Sequence, residues 1–306
     1  MPNDDAYDQP SFNADGPVAR IESPVPHASG LVLVSTPIGN LGDITIRALE
    51  TLKRADLVLC EDTRVTAKLL AAHGIGVRCE ALHDHNEDQR IPGLLERLQR
   101  GACIALVSDA GTPLVSDPGF RLVRAAIAAG LPVSATPGAN AALLALTLSG
   151  LPPHPFLFLG FAPNRDAARR SHFSTLRAAE QAGLGATMIW YEAPHRLAEM
   201  LTDLAAIFGS REAAVARELT KRFEEIRRDS LPALAEYYTA HQARGEIVVL
   251  LGPGTAETGS DADIDRLLAT ALVDMSMKDA ANAVAAATGA AKKTVYARAL
   301  KIRQEE

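Results

Sequence analysis

Short apolar runs alternate along this chain with stretches whose apolar residues recur every three or four positions. The first run, Leu31-Val-Leu-Val34, ends in a Pro/Gly turn and reads as a buried strand. Ile44 to Ala55 predicts a helix with Ile46, Leu49 and Leu52 on one side, and Asp56 to Cys60 predicts a strand. A helix follows from Thr63 to His73, with Gly74 placed to end it. Ile104 to Val107 reads as a strand. Pro118 to Ala129 reads as a helix with Ser116 or Asp117 as its cap, Pro118 in its first turn and Gly130 as its stop. The strand Val133 to Ala135 and the helix Ala139 to Leu148 complete the first series.

The second series expects strands at 156–159, 186–191, 213–217 and 246–251, with helices at 165–182 and 194–208. Apolar strands separated by amphipathic helices indicate α/β units with sheets covered on both faces. Gly252 to Ala262 reads as a linker, and only helical signals follow, at 264–273, 278–288 and 293–303. Ala280, Val284, Val295 and Ala299, spaced around a Thr288-Gly289 turn, fit a small helix-turn-helix with Lys292, Lys293 and Arg298 facing out. An accessory helical cap is the alternative.

A length of 306 residues suggests about two domains. With 47% hydrophobic and 22% charged residues, wholesale disorder and collagen-like repeats are excluded. A net charge of −6 and 5% aromatic residues, taken alone, argue against a nucleic-acid partner and a base-stacking platform. The charge is unevenly placed, however. Residues 1–29, polar and rich in Pro, Asp and Ser, read as a disordered acidic tail with five acids against the single base Arg20. From Ser276 onward six bases face three acids. Three cysteines without CxxC spacing fit a reducing cytoplasm, and no signal peptide is visible. The uncharged stretch from Ala125 to Asn164 is cut by Pro132, Pro137, Pro152, Pro153 and Pro155 into pieces too short to cross a bilayer.

Chemistry-bearing residues gather where strands end. The turn Ser35 to Asp43 lets backbone approach a ligand, but Gly39 and Gly42 do not make the GxGxxG of a dinucleotide site. In Cys60-Glu-Asp-Thr-Arg64 the acids are either functional or simply a cap and an ion pair. His83, Asp84, His85 and Glu87 lack further ligands at metal spacing, so a polar or ribose- and phosphate-contacting loop is expected and no metal. Val107 to Gly119 is the most informative stretch, with Asp109 where a ligand would sit and Ser108 and Thr112 offering hydroxyls. Thr136-Pro-Gly-Ala-Asn140 opens another helix whose N-terminus could receive a polar group. Glu192, His195 and Arg196 lie just past a strand; the alternative there is that Pro194 starts a helix and Glu192 neutralises Arg196. Arg165, Arg169, Arg170 and Arg177 share one helix with the single acid Asp166, a candidate phosphate-facing patch or a solvated face.

With these motifs in order, the chain resembles the tetrapyrrole (corrin/porphyrin) methylase superfamily, and within it the cytidine 2′-O-methyltransferases of small-subunit (16S) ribosomal RNA. The match rests on Thr36-Pro-Ile-Gly-Asn-Leu41, Cys60-Glu-Asp-Thr-Arg64, Leu82-His-Asp-His-Asn-Glu87, Val107-Ser-Asp-Ala-Gly-Thr-Pro113, Asp117-Pro-Gly119, Tyr191-Glu192, His195-Arg196 and Arg217-Glu-Leu-Thr-Lys221. Lys292-Lys-Thr-Val-Tyr296 is similar to that family's small C-terminal domain. The resemblance implies two α/β domains, 30–137 and 138–254, with a cleft between them, a helical module at 261–306, S-adenosylmethionine as cofactor and a cytoplasmic homodimer. It places cofactor contacts on Pro37, Ser108, Asp109, Thr112, Asn140, Ala141, Glu192, Ala216 and Pro253.

The chemistry then reduces to holding a ribose 2′-oxygen behind an activated methyl while a base takes its proton. Glu61, Asp62, His85, Glu192 and His195 are the candidate bases or orienters. Arg64, Arg196 and Lys221 would hold phosphates, joined by Arg165, Arg169 and Arg170 and by Lys292 and Lys293. The low aromatic content fits a site that grips ribose and phosphate more than it stacks bases, on a substrate recognised by shape within a particle. A tetrapyrrole C-methyltransferase and a non-catalytic RNA-binding assembly factor are the alternatives.

Overall fold

A computed structural model of the chain describes residues 29–254, 261–288 and 290–305. The expected disordered tail, apart from Ser29, lies outside the described residues, as do most of the expected linker and Gly289 of the helical turn. The first domain runs β1 (Gly30–Val34), α1 (Ile46–Arg54), β2 (Leu57–Cys60), α2 (Thr63–Ala72), β3 (Cys79–Ala81), α3 (Glu87–Gln99), β4 (Cys103–Val107), α4 (Phe120–Ala128) and β5 (Val133–Thr136). Its sheet is parallel, in the order β3-β2-β4-β1-β5.

The apolar runs are continuous because both faces of this sheet are covered. Successive side chains of a strand point to opposite faces. Val32, Val34, Val58 and Ala105 accordingly pack beneath Leu52 and Leu70 on one side. Leu31, Leu59, Ile104 and Leu106 pack beneath Leu94, Leu98 and Leu122 on the other.

The start of α4 corrects the expected capping. Neither Ser116 nor Asp117 caps it; the helix begins at Phe120, after Gly119 at φ 111°, with no side-chain bond from the cap position. The carboxylate of the buried Glu87 supplies that bond from the start of α3, accepting the Leu122 N–H at 2.7 Å while its other oxygen pairs with Arg121 at 3.2 Å.

The second domain adds α5 (Ala141–Ser149), β6 (Phe156–Phe161), α6 (Asp166–Gln181), β7 (Thr187–Glu192), α7 (Leu197–Phe208), β8 (Glu212–Arg217), β9 (Glu225–Ser230), α8 (Leu231–Ala240) and β10 (Ile247–Leu251). Its sheet, β6-β7-β10-β8-β9, is mixed: β6 and β7 are parallel, and every other pair is antiparallel. Helices α6, α7 and α8 cover one face over Trp190, Val215 and Val249. Helix α5 covers the other, over Ile189, Ala214, Ala216 and Val248, and Ile38 from the first domain joins that cluster. The polar edge strand β9, the short β3, and helices α3 and α8 are not among the elements expected from the sequence.

Three helices follow: α9 (Asp261–Asp274), α10 (Met277–Thr288) and α11 (Lys292–Glu305). Ile264, Leu268, Val284, Val295 and Ala299 form their own small core. Arg298, expected to face outward, instead pairs with Asp265 at 2.5 Å. No helix among the described residues is long and apolar enough to cross a membrane.

Candidate active site

The two sheets meet at a cleft. From the first domain, the loops after β1 and β4 reach it as one unit. Thr36 and Gly111 exchange backbone hydrogen bonds of 2.9 and 3.1 Å, and the Thr36 hydroxyl donates to the Ser108 carbonyl at 2.9 Å. Gly111 sits at φ 86°, and a β-carbon there would lie 3.2 Å from Ile38 Cγ2. Thr112 ties this unit to the second domain by donating to the Ala139 carbonyl at 3.0 Å. Leu114 and Ser116 hold left-handed φ values of 71° and 69°, a strain that non-glycine residues accept where the surroundings dictate it.

From the second domain come the end of β7 and the start of β10. These are neighbours because the strands run antiparallel: Ile247 pairs with Glu192, and Val248 with Tyr191. Together the segments enclose a cavity of about 350 Å³. Ile38, Leu219 and Val248 give it apolar walls, and Thr112, Asp117 and Glu192 give it polar ones.

The carboxyls of the cleft are shifted upward. Burial raises Glu192, opposed by the Ala193 N–H it accepts at 2.7 Å and by Arg196 at 3.2 Å. Burial also raises Asp117; the Ser108 hydroxyl, donating to it at 2.5 Å, works the other way, and the charge of Asp109 adds to the rise. Burial raises Glu61 first, then the charges of Asp109, Asp117 and Asp84. Asp62 goes the other way, to about 2, because Arg64 bonds its carboxylate.

Of the cofactor contacts expected from the sequence, Thr112, Ala141 and Glu192 line the cavity, and Pro37 precedes the lining residue Ile38. Ser108 stands behind Asp117. Asp109 turns toward β2, accepting the Asp62 N–H at 3.1 Å. Asn140 caps α5 through the Leu143 N–H at 3.1 Å. Ala216 is buried in the sheet, paired with the cavity residue Val248. Pro253 does not line the cavity: β10 enters there with Ile247 and leaves at Leu251, and Pro253 lies past the far end of the strand. Gly245 and Glu246, just before β10, line the cavity instead. Asp117, Leu219 and Phe161 also line the cavity without having been expected there.

Among the candidate bases, Glu61, His85 and His195 are exposed, while Glu192 is buried. Asp62 is the cap of α2, accepting the Arg64 N–H at 2.8 Å, and its carboxylate holds the Arg64 guanidinium at 2.6 Å. Among the candidate RNA contacts, Arg165 is exposed at the start of α6, and Lys292 and Lys293 are exposed at the start of α11. Arg169 is a correction: it is 1% exposed and donates to Asp203 at 2.7 Å, so it braces α6 against α7 and presents nothing to solvent. Arg170 shares Asp203 at 2.8 Å but keeps most of its surface. Arg196 is turned inward, donating to the Ala162 and Pro163 carbonyls at 2.8 and 3.1 Å. Lys221 is held by Glu218 and Glu246 at 2.9 and 3.1 Å.

A parallel domain and a mixed domain with a cleft at their strand ends define a methylase architecture. The family model described as tetrapyrrole (corrin/porphyrin) methylases matches residues 30–235, and one described as RsmI C-terminal HTH domain matches residues 258–303. The cobalamin biosynthetic enzyme cobalt precorrin-4 methyltransferase shares the fold, with a TM-score of 0.56 at 17% identity over 76% of this chain and 98% of that one. Diphthine synthase does so as well, with a TM-score of 0.56 at 18% identity over 72% of this chain and 90% of that one.

Relatives in sequence are nearer. The ribosomal RNA small subunit methyltransferase I of Mesorhizobium japonicum is 49% identical over 94% of this chain and 97% of its own length. The protein of that name from Pseudomonas aeruginosa is 43% identical over 89% of this chain and 97% of its own length. The chain belongs to the tetrapyrrole methylases and, among them, to the ribosomal RNA small subunit methyltransferase I family.

Proposed function

We propose that this chain transfers a methyl group from S-adenosylmethionine to the ribose 2′-oxygen of a cytidine in 16S ribosomal RNA, as a cytoplasmic homodimer. The observation that carries this reading is that relatives bearing the small-subunit rRNA methyltransferase name match both the cleft and the basic helical module, over 94% of the chain in the Mesorhizobium case. A precorrin substrate would leave the module unexplained.

The cavity fits the cofactor. Its volume lies within the usual range for small-molecule sites. Ile38, Leu219 and Val248 offer apolar walls to a flat base, while the buried Glu192 and Asp117 offer carboxyls to a cation. When bound, S-adenosylmethionine supplies a methyl already activated on a sulfonium. The protein's part is then positional. The Thr36–Gly111 unit and the β7–β10 pair fix the cavity from opposite domains, and one of the candidate bases Glu61, Asp62, His85, Glu192 and His195 takes the hydroxyl proton.

Incubation with labelled S-adenosylmethionine and small ribosomal subunits lacking the modification, followed by nuclease mapping, tests the reading. Label on a cytidine 2′-oxygen is expected; cofactor binding without transfer, or label on a precorrin, overturns it. Among single changes Glu61→Gln, Asp62→Asn, His85→Ala, Glu192→Gln and His195→Ala, one should reduce the single-turnover rate by about 10²–10⁴-fold, the usual contribution of a general base, and wild-type rates in all five overturn the assignment. Sedimentation of the purified chain as a monomer overturns the dimer.

A further inference from the structure

Strand β6 carries an irregularity that serves no purpose within the sheet. Phe158 pairs with Ile189, but the next pair is Phe161 with Tyr191, so three steps on β6 match two on β7. That extra residue is a β-bulge, and Gly160 within it takes φ +63°. The consequence is one of parity. Leu157 and Leu159 point into the core under α6 and α7, and strict alternation would send Phe161 there too. The bulge turns it to the opposite face, where Phe158 and Tyr191 lie. The Tyr191 ring meets Phe158 at 4.8 Å and Phe161 at 5.7 Å between centroids, both edge-on.

Phe161 therefore leaves an apolar core for an exposed place at the cavity wall, where it keeps 55% of its surface open. A large aromatic ring left this open forgoes part of the stabilisation that full burial gives. Its position is nonetheless firm. Tyr191 buttresses its edge, and Arg196 holds the next two carbonyls, at Ala162 and Pro163. Two residues beyond them, Arg165 opens α6 with its side chain exposed, and Arg170 lies one turn on.

We propose that Phe161 is a stacking platform for the nucleobase of the target nucleotide, with the Arg165 end of α6 beside it for the flanking phosphate. The inference rests on the RNA-methyltransferase reading above. Sequence-specific RNA sites are single-stranded loops and bulges whose bases are splayed out of the stack, and a splayed base gains from a replacement stacking surface. An aromatic face at the cavity rim supplies that surface whatever the base, so Phe161 fixes the position of the nucleotide and not its identity.

The test compares wild type, Phe161→Ala and Phe161→Trp on unmodified small ribosomal subunits with labelled S-adenosylmethionine, with S-adenosylhomocysteine affinity measured by calorimetry. Phe161→Ala should lower kcat/KM for the subunit about 5- to 150-fold, the range for loss of one stacked base. Phe161→Trp should restore most of it, and Phe161→Ala should lose far less S-adenosylhomocysteine affinity than subunit kcat/KM. Wild-type transfer by Phe161→Ala overturns the platform. So does a parallel loss of S-adenosylhomocysteine affinity, which would make Phe161 a cofactor contact. Failure of the wild type to methylate any subunit would instead overturn the RNA reading itself, and the platform with it.

Discussion

Lys221 is packed against Gly39 so closely that a β-carbon at Gly39 would overlap its side chain. The two residues belong to different domains: Gly39 follows the cavity residue Ile38, and Lys221 follows the cavity residue Leu219. The lysine cannot swing away freely, because its ammonium holds Glu218 at 2.9 Å and Glu246 at 3.1 Å. Its loop is strained as well, with Glu218 at φ 50° and Thr220 at φ 66°. The pair forms a latch across the cleft.

Gly39→Ala should therefore overpack the latch, at about 1–3 kcal/mol. The loss should appear chiefly as weaker S-adenosylhomocysteine binding by calorimetry. Adding Lys221→Ala to the same chain should recover part of it, since the overlapping side chain is then gone. Additive losses would show that the two residues do not act together.

Arg169 and Asp203 are a buried ion pair at 2.7 Å, 2% and 6% exposed in their side chains. Arg169→Ala leaves Asp203 with only the exposed Arg170, and should cost about 3–5 kcal/mol. A urea titration should show a lower midpoint with an unchanged slope. Subunit binding by the folded fraction should stay at the wild-type value, because Arg169 faces no solvent.

Asp62 gives a pH dependence with a defined sign. Arg64 holds its carboxyl at about 2, below the ordinary 3.8, so its charge stabilises the fold above the ordinary value and that contribution is lost as pH falls toward 2. Asp62→Asn keeps an oxygen to cap α2 and removes the charge. The melting temperature of wild type should exceed that of the variant at pH 7 by a small margin, as the pair is exposed. The margin should shrink below pH 4 and vanish near pH 2.

Lys292 and Lys293 place two positive charges at the N-terminal end of α11, where the helix dipole disfavours them. A phosphate partner removes that conflict. Replacing both with Ala should weaken subunit binding and lower the slope of log affinity against log salt by about 1 per lysine. S-adenosylhomocysteine affinity should not change. Removing residues 261–306 should likewise weaken RNA binding more than cofactor binding.

Local pattern carries information only about local structure. The strands with unbroken apolar runs are legible because each is buried on both faces. Strand β9, Glu225-Ile-Arg-Arg-Asp-Ser230, is a polar edge strand and reads as a charged loop. Helix α3 contains Pro92 and Gly93, which normally argue against a helix. The site follows the same division. The loops after β1, β4 and β7 announce themselves as Gly-, Pro- and acid-rich strand ends. The start of β10 does not, because a strand's direction is set by its neighbours, and Pro253 lies past the end of β10 that faces away from the cavity for that reason.

The apolar strands, the amphipathic helices that follow most of them, the strand-end loops and the basic terminus are properties the sequence determines by itself, since each depends on residues a few positions apart. Only the tertiary structure decided the mixed pairing of the second sheet, the cap that Glu87 provides for α4 from 35 positions away, and the burial of Arg169. It also decided the bulge that turns Phe161 from the core to the cavity. Each of these depends on which distant segment lies alongside, and contacts between distant segments leave no periodicity in the chain.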